Sequence, residues 1–202
     1  GALRFFPTLH HGLHHGFRRY KQLNAFIDVF KTMLKGNLMT EENSTIDVGQ
    51  TIPDASIQIK SEEGVDAIET AVYFRDCRVV MIAVPGAFTR TCSAKHLPGF
   101  VKNADKFKAA GFDKIACLAV NDAHVMRAWG LDNNADGVID MIADPFAEFS
   151  DALGLTRFMG PILGRRSTRC AMIIENGILT KMFMEEPAAF EVSSAEHVLA
   201  NL

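Results

Sequence analysis

The segment Pro85-Gly86-Ala87-Phe88-Thr89-Arg90-Thr91-Cys92 carries the densest chemistry in the chain. It follows the apolar run Arg78–Val84 and precedes a stretch of helical periodicity, so it joins the end of a buried strand to the start of a helix. In open α/β sheets, sites form just beyond the carboxyl ends of the strands. A cysteine in a first helical turn meets unpaired backbone N–H groups and the positive end of the helix dipole. Both favour the thiolate, which is the attacking and oxidisable form. Thr89 sets a hydroxyl beside that sulfur, able to accept from or donate to a bound oxygen substrate.

The other three cysteines read differently. Cys117 lies in Ile115-Ala116-Cys117-Leu118-Ala119-Val120, a core-strand pattern, and buried free cysteines are common. A disulfide needs Cα atoms within about 7 Å, so Cys117 reaches Cys92 only if the helix after Cys92 locally unwinds. Cys77 sits in a strand-edge turn and reads as structural. Cys170 follows Arg169 and would bring a second thiol near it. With four cysteines and no C-x-x-C pair, the chain lacks both a disulfide framework and the usual zinc spacing. A reducing compartment follows.

The elements that position these residues alternate from about residue 46 onward. Ala55–Lys60 reads as a short strand and Arg78–Val84 as a central buried one. A helix with Leu97, Phe100, Val101, Ala104 and Phe107 on one face ends at Gly111. Lys114–Val120 is a strand, and Asn121 or Asp122 caps a helix to about Trp129. Val138–Ile142 is a strand and Pro145–Leu153 a short helix stopped by Gly154. Arg169–Glu175 and Ile178–Met184 flank Asn176-Gly177, a hairpin signal, and Ser194–Leu202 closes as a helix. This order predicts an α/β thioredoxin-like fold, a mixed central sheet with helices on both faces. Phe88, Phe100 and Trp129 read as core or interface aromatics, core before interface for each, and Arg165 and Arg166 as solvated.

Composition sets bounds. The chain has 202 residues, 48% hydrophobic and 22% charged, with net charge −3, which argues against a nucleic-acid binder. No apolar run approaches the roughly 18 residues of a membrane span. Charge is uneven: residues 1–38 hold six basic groups against Asp28 alone, a net of +5, leaving −8 for the remainder. Within that basic stretch Leu23, Phe26, Ile27, Phe30 and Leu34 recur at helical spacing. Residues 1–45 therefore read as an N-terminal extension and linker, either a mitochondrial-type presequence or a packing helix, and 46–202 as the folded domain. A presequence implies a mitochondrial or other organellar protein; without one, the protein is cytoplasmic. The cluster His10-His11 and His14-His15 has no carboxylate or cysteine to complete a metal site.

At the motif a resemblance becomes specific. Pro85-x-x-x-Thr89-x-x-Cys92 resembles the peroxidatic motif of peroxiredoxins. Val84–Thr89, Cys92-Ser93 and His96-Leu97-Pro98-Gly99-Phe100 resemble the type II, peroxiredoxin 5-like branch. Further matches are Val48-Gly49-Gln50-Thr51-Ile52-Pro53, Val120-Asn121-Asp122, Ala128-Trp129-Gly130, Leu153-Gly154-Leu155 and Arg166-Ser167-Thr168-Arg169, so the likeness spans 46–202. It implies that Cys92 is the peroxidatic nucleophile, oxidised to a sulfenic acid. Thr89 and Arg169 would hold the peroxide oxygens, Pro85 would shield the sulfenic acid, and backbone N–H groups near Gly86 and Cys92, with Phe88 alongside, would complete substrate binding. The spacing of Cys117 from Cys92 resembles that of a resolving cysteine in plant-like type II members. The resemblance further implies hydrogen peroxide or organic hydroperoxides as substrate, with thioredoxin, glutaredoxin or glutathione as reductant. It implies no metal or other cofactor, and a homodimer. Two departures stand out: Arg90 where the family usually carries proline, and Cys170 where it usually carries an aromatic. They leave open a catalytically decayed sensing or interaction module.

Overall fold

The computed structural model describes residues 44–202. The basic amphipathic stretch and the histidine cluster lie outside the described residues. The chain forms β1 (Ser56–Lys60), β2 (Val65–Glu69), α1 (Thr70–Tyr73), β3 (Arg78–Ala83), a π turn (Cys92–His96), α2 (Leu97–Lys102), α3 (Ala104–Ala109) and β4 (Lys114–Ala119). It continues with α4 (Ala123–Asp132), β5 (Asp140–Ala143), α5 (Glu148–Ala152), β6 (Thr156–Phe158), α6 (Gly160–Leu163), β7 (Arg165–Ser167), β8 (Cys170–Glu175), β9 (Ile178–Met184) and α7 (Ala195–Ala200).

One sheet of order β2-β1-β5-β4-β3-β8-β9 organises the molecule, with β3 paired parallel to β4 and antiparallel to β8. Successive residues of a strand face opposite sides, and both sides are apolar here. Val80, Ile82, Ile115, Cys117, Ala171 and Ile173 pack on one side with Leu97, Phe100, Phe107, Trp129 and Val198 from the helices. Val79, Met81, Ala116, Leu118, Cys170 and Met172 pack on the other with Phe74, Phe149 and Leu153. Burying a side chain of this size contributes about 1.5–3 kcal/mol, so the central strands that carry the site are the most firmly anchored. This is the mixed sheet with helices on both faces.

Local chemistry explains the departures from the expected elements. The long helix before Gly111 is three pieces. Pro98 has no N–H for the Ala94 carbonyl, and one residue earlier Leu97 donates to the Cys92 carbonyl five residues back, the wider π pattern. At Asn103 the side-chain Nδ2 donates to the Gly99 carbonyl at 2.9 Å and to Glu196 at 3.1 Å, and the backbone leaves the helical region. Asp122, not Asn121, caps α4, accepting from His124 and Val125. Strand β2 is largely exposed at the sheet edge, so its apolar pattern is weak. The small β6–β7 hairpin is likewise absent from the sequence reading. Asn176 and Gly177 adopt φ of 48° and 77°, as a two-residue hairpin turn requires.

Candidate active site

The loop from Pro85 to Thr89 leaves the carboxyl end of β3 and enters the helix at Arg90. Its conformation is held by residues from elsewhere in the chain. The Ala87 N–H donates to Asn121 Oδ1 at 2.9 Å, and Arg166 donates through Nε to the Leu163 carbonyl at 2.7 Å, with Nη1 3.5 Å from the Pro85 carbonyl. Arg166 is therefore docked on the loop rather than solvated. A Cβ on Gly86 would lie 2.8 Å from Arg166 Nη1 and 3.3 Å from Asn121 Oδ1, so the backbone passes where only glycine fits without displacement. Phe88 takes a left-handed φ of 59°, and its ring, expected in the core, is 56% exposed. The Thr89 hydroxyl donates to the Gly86 carbonyl at 2.8 Å. With its proton so used, its lone pairs are left to accept.

Arg169 arrives from the opposite edge of the loop. It immediately precedes β8, whose Cys170 is in register with Ala83 at the end of β3. Arg169 Nη2 lies 3.4 Å from Cys92 Sγ, and Nη1 lies 3.0 Å from His96 Nδ1. The His96 Nε2 is 3.0 Å from the Ser193 carbonyl. A carbonyl only accepts, so Nε2 carries the proton and Nδ1 accepts from the guanidinium. Burial first, then the Arg169 charge, pushes the His96 pKa down to about 3. The His96 ring also meets Phe190 and Phe100 edge-on, and Phe190 lies beside the Arg169 guanidinium. From the sequence His96 stands only within a matching motif and Arg166 as solvated; the partners that give them their places are 73 and 81 residues away, beyond any local signal.

The cysteines occupy distinct environments. Cys92 is fully buried, and Cys117 shares its side of the sheet in the same apolar cluster. Burial, with the neighbouring Cys92 opposing ionisation further, raises the Cys117 thiol well above its usual range. Cys170 points to the other side of the sheet, where burial pushes it up to about 12. The expected second thiol near the Arg169 guanidinium is thus turned away. Cys77 is half-buried and contacts the Tyr73 carbonyl.

Pro85, Thr89, Arg90 and Arg169 line a cleft of about 390 Å³, together with the segment Glu186–Ala189. Thr168 borders the same cleft with a buried hydroxyl that has no hydrogen-bond partner among the described residues. Ser93, next to Cys92, accepts from the Trp129 indole N–H at 2.9 Å. No described helix is long and apolar enough to cross a membrane.

Comparison with known proteins agrees with this arrangement. A family model described as Redoxin matches residues 47–199. Peroxiredoxin-2E-2, chloroplastic, of Oryza sativa subsp. japonica is 40% identical over 168 residues, 79% of this chain and 73% of the relative. Peroxiredoxin-2D of Arabidopsis thaliana is 37% identical over 161 residues, 78% of this chain and 98% of its own. The crystal structure of reduced Prx3 in complex with H2O2 from Vibrio vulnificus is 47% identical with TM-score 0.76, covering 78% of this chain and 99% of that one. A buried thiol at a strand-to-helix junction, contacted by a guanidinium, thus sits in a chain that belongs to the type II peroxiredoxins, thiol-dependent peroxidases that reduce peroxides at the expense of a thiol reductant.

Proposed function

We propose that Cys92 is the peroxidatic residue, with Thr89 and Arg169 as its peroxide-binding partners. The observation that carries this is the 3.4 Å contact between the Arg169 guanidinium and the Cys92 sulfur. The thiolate attacks the terminal oxygen of ROOH; the O–O bond breaks, an S–O bond forms, and sulfur is oxidised to the sulfenic acid. The departing RO⁻ takes a proton and leaves as ROH. Arg169 donates to the oxygen on which charge develops, while Thr89 accepts from the peroxide hydroxyl. Pro85 shields the sulfenic acid, and Gly86 and Phe88 shape the entrance. Access to the buried sulfur runs through the cleft beside Thr89 and Arg169.

Return to the thiol takes two further thiols: one condenses with the sulfenic acid and releases water, the second cleaves the resulting disulfide. Cys117 is the candidate for the first, on the same side of the sheet, once the π turn at Cys92–His96 unwinds. Thioredoxin, glutaredoxin or glutathione supplies the rest. The proposed homodimer is supported by Phe88, Phe146, Phe158 and Ile162, large apolar side chains left in solvent. Residues 1–45 are proposed as an extension to a domain over 46–202, and the basic, amphipathic character of 1–38 supports an organellar presequence; two relatives are named chloroplastic. The test is non-reducing mass spectrometry after one equivalent of hydrogen peroxide. A Cys92–Cys117 link establishes a two-cysteine cycle, and a Cys92 sulfenate or glutathione adduct a one-cysteine cycle. An unmodified Cys92 overturns the assignment.

A further inference from the structure

A closed ring of buried polar contacts begins and ends at Arg169. Arg169 Nη1 donates to His96 Nδ1 at 3.0 Å, and His96 Nε2 donates to the Ser193 carbonyl at 3.0 Å. The Ser193 N–H and hydroxyl both donate to Glu185 Oε1 at 2.8 Å, and the Glu185 N–H returns to the Arg169 carbonyl at 3.1 Å. The Glu191 N–H adds a third donor to the same carboxylate oxygen at 2.7 Å. His96, Ser193 and Glu185 are all buried.

We propose that His96 is a positioning residue of the peroxidase site: anchored by Ser193, its ring fixes the Arg169 guanidinium against the Cys92 sulfur before peroxide arrives. This rests on the reading of Cys92 and Arg169 given above. An arginine side chain has much rotamer entropy to lose, so a guanidinium held in advance serves a bound oxygen better than one that must be ordered in the reaction. The chemical type of the holder matters as much as its place. A carboxylate partner would hold Arg169 equally well but would cancel the charge needed at the sulfur and the leaving oxygen. A neutral imidazole holds it by one lone pair and leaves the charge intact. No carboxylate ion-pairs with Arg169 among the described residues. The imidazole stays neutral because its pKa is pushed down to about 3.

Placement follows from the helix. Cys92 and His96 stand at the two ends of the π turn, and one guanidinium touches both. The remaining arc of the ring, Glu185 to Ser193, contains the Glu186–Ala189 segment that lines the cleft. The cleft wall and the guanidinium are therefore fixed by the same contacts.

Asparagine and glutamine separate this role from simple packing, because the asparagine amide reaches the place of Nδ1 and the glutamine amide that of Nε2. Stopped-flow oxidation of Cys92 by hydrogen peroxide is followed in the full chain, His96→Asn and His96→Gln, with melting temperatures alongside. The expected result is a tenfold or greater loss in His96→Gln, the scale of one hydrogen bond to a charged group, and substantial recovery in His96→Asn. Equal losses in the two variants, tracking their melting temperatures, would overturn the proposal. Should the variants not fold, nitrogen-15 NMR of the unaltered chain decides, with Nδ1 expected unprotonated and Nε2 protonated; the reverse tautomer overturns the proposal. A reactive full chain with a fully active glutamine variant defeats this inference alone, whereas a full chain inert to peroxide defeats the assignment of Cys92 and this inference with it.

Discussion

Cys92 and Cys170 lie on opposite faces of one sheet, although Cys170 is the next residue after the arginine that touches the Cys92 sulfur. The alternation of a strand sends consecutive side chains to opposite sides, so proximity in sequence to Arg169 gives Cys170 no access to the site.

Cys170→Ser is therefore expected to leave peroxide consumption within about twofold of the unaltered chain, while Cys92→Ser abolishes it. Coupled turnover assays check both. Full turnover in Cys92→Ser would place the chemistry on another residue.

Removing the two side chains proposed to meet the peroxide oxygens tests the charge argument. Arg169→Met is expected to lower the second-order rate with hydrogen peroxide by about 10²–10³-fold, the range for losing one electrostatic donor in a buried site, and Thr89→Val, which removes an acceptor, to lower it by about tenfold or more. Rapid-mixing measurements decide, and a change under fivefold in both would show that neither side chain meets the peroxide.

Gly86→Ala places a methyl group 2.8 Å from Arg166 Nη1 and 3.3 Å from Asn121 Oδ1. The guanidinium is the end of a flexible side chain and can swing aside, so the loss of stability should be modest, about 1 kcal/mol. The loop then loses its Arg166 and Asn121 restraints, and peroxide reactivity falls several-fold more than the melting temperature suggests. Unchanged reactivity would show that the loop needs neither restraint.

His96 makes folding stability depend on pH in a definite direction. Free in the unfolded chain it binds a proton near pH 6.5, while in the fold it does so only near 3. Its contribution is complete above pH 6.5 and is lost as the pH falls from 6.5 toward 3, because the unfolded chain gains the proton first. Across that window the loss amounts to several kcal/mol. Urea unfolding between pH 7 and 4 should show a steeper decline for the unaltered chain than for His96→Asn. Parallel declines would mean that the imidazole protonates without resistance.

What could be read in advance follows the range of each interaction. The strands β3, β4 and β8 announced themselves as apolar runs, and Asn176-Gly177 as a turn, because both signals are local. The candidate nucleophile stands out for the same reason: Pro85, Gly86, Thr89 and Cys92 lie in eight consecutive residues. The break at Asn103 was hidden because the apolar face continues across it while the side chain takes the Gly99 carbonyl. The roles of Arg166 and His96 were hidden because each depends on a partner more than 70 residues away. Phe88 was misplaced because its outward direction is set by a left-handed backbone angle that no periodicity encodes.

The chain contains a single tryptophan, and its indole is bonded to the hydroxyl of the residue following Cys92. Emission from this fluorophore reports on one place alone, with no other indole to dilute it. The unwinding proposed to bring the Cys92 sulfur to a second thiol would part Ser93 from the ring nitrogen of a wholly buried chromophore. A change in emission on oxidation is therefore the expected optical signal of that step, measurable in the unlabelled protein.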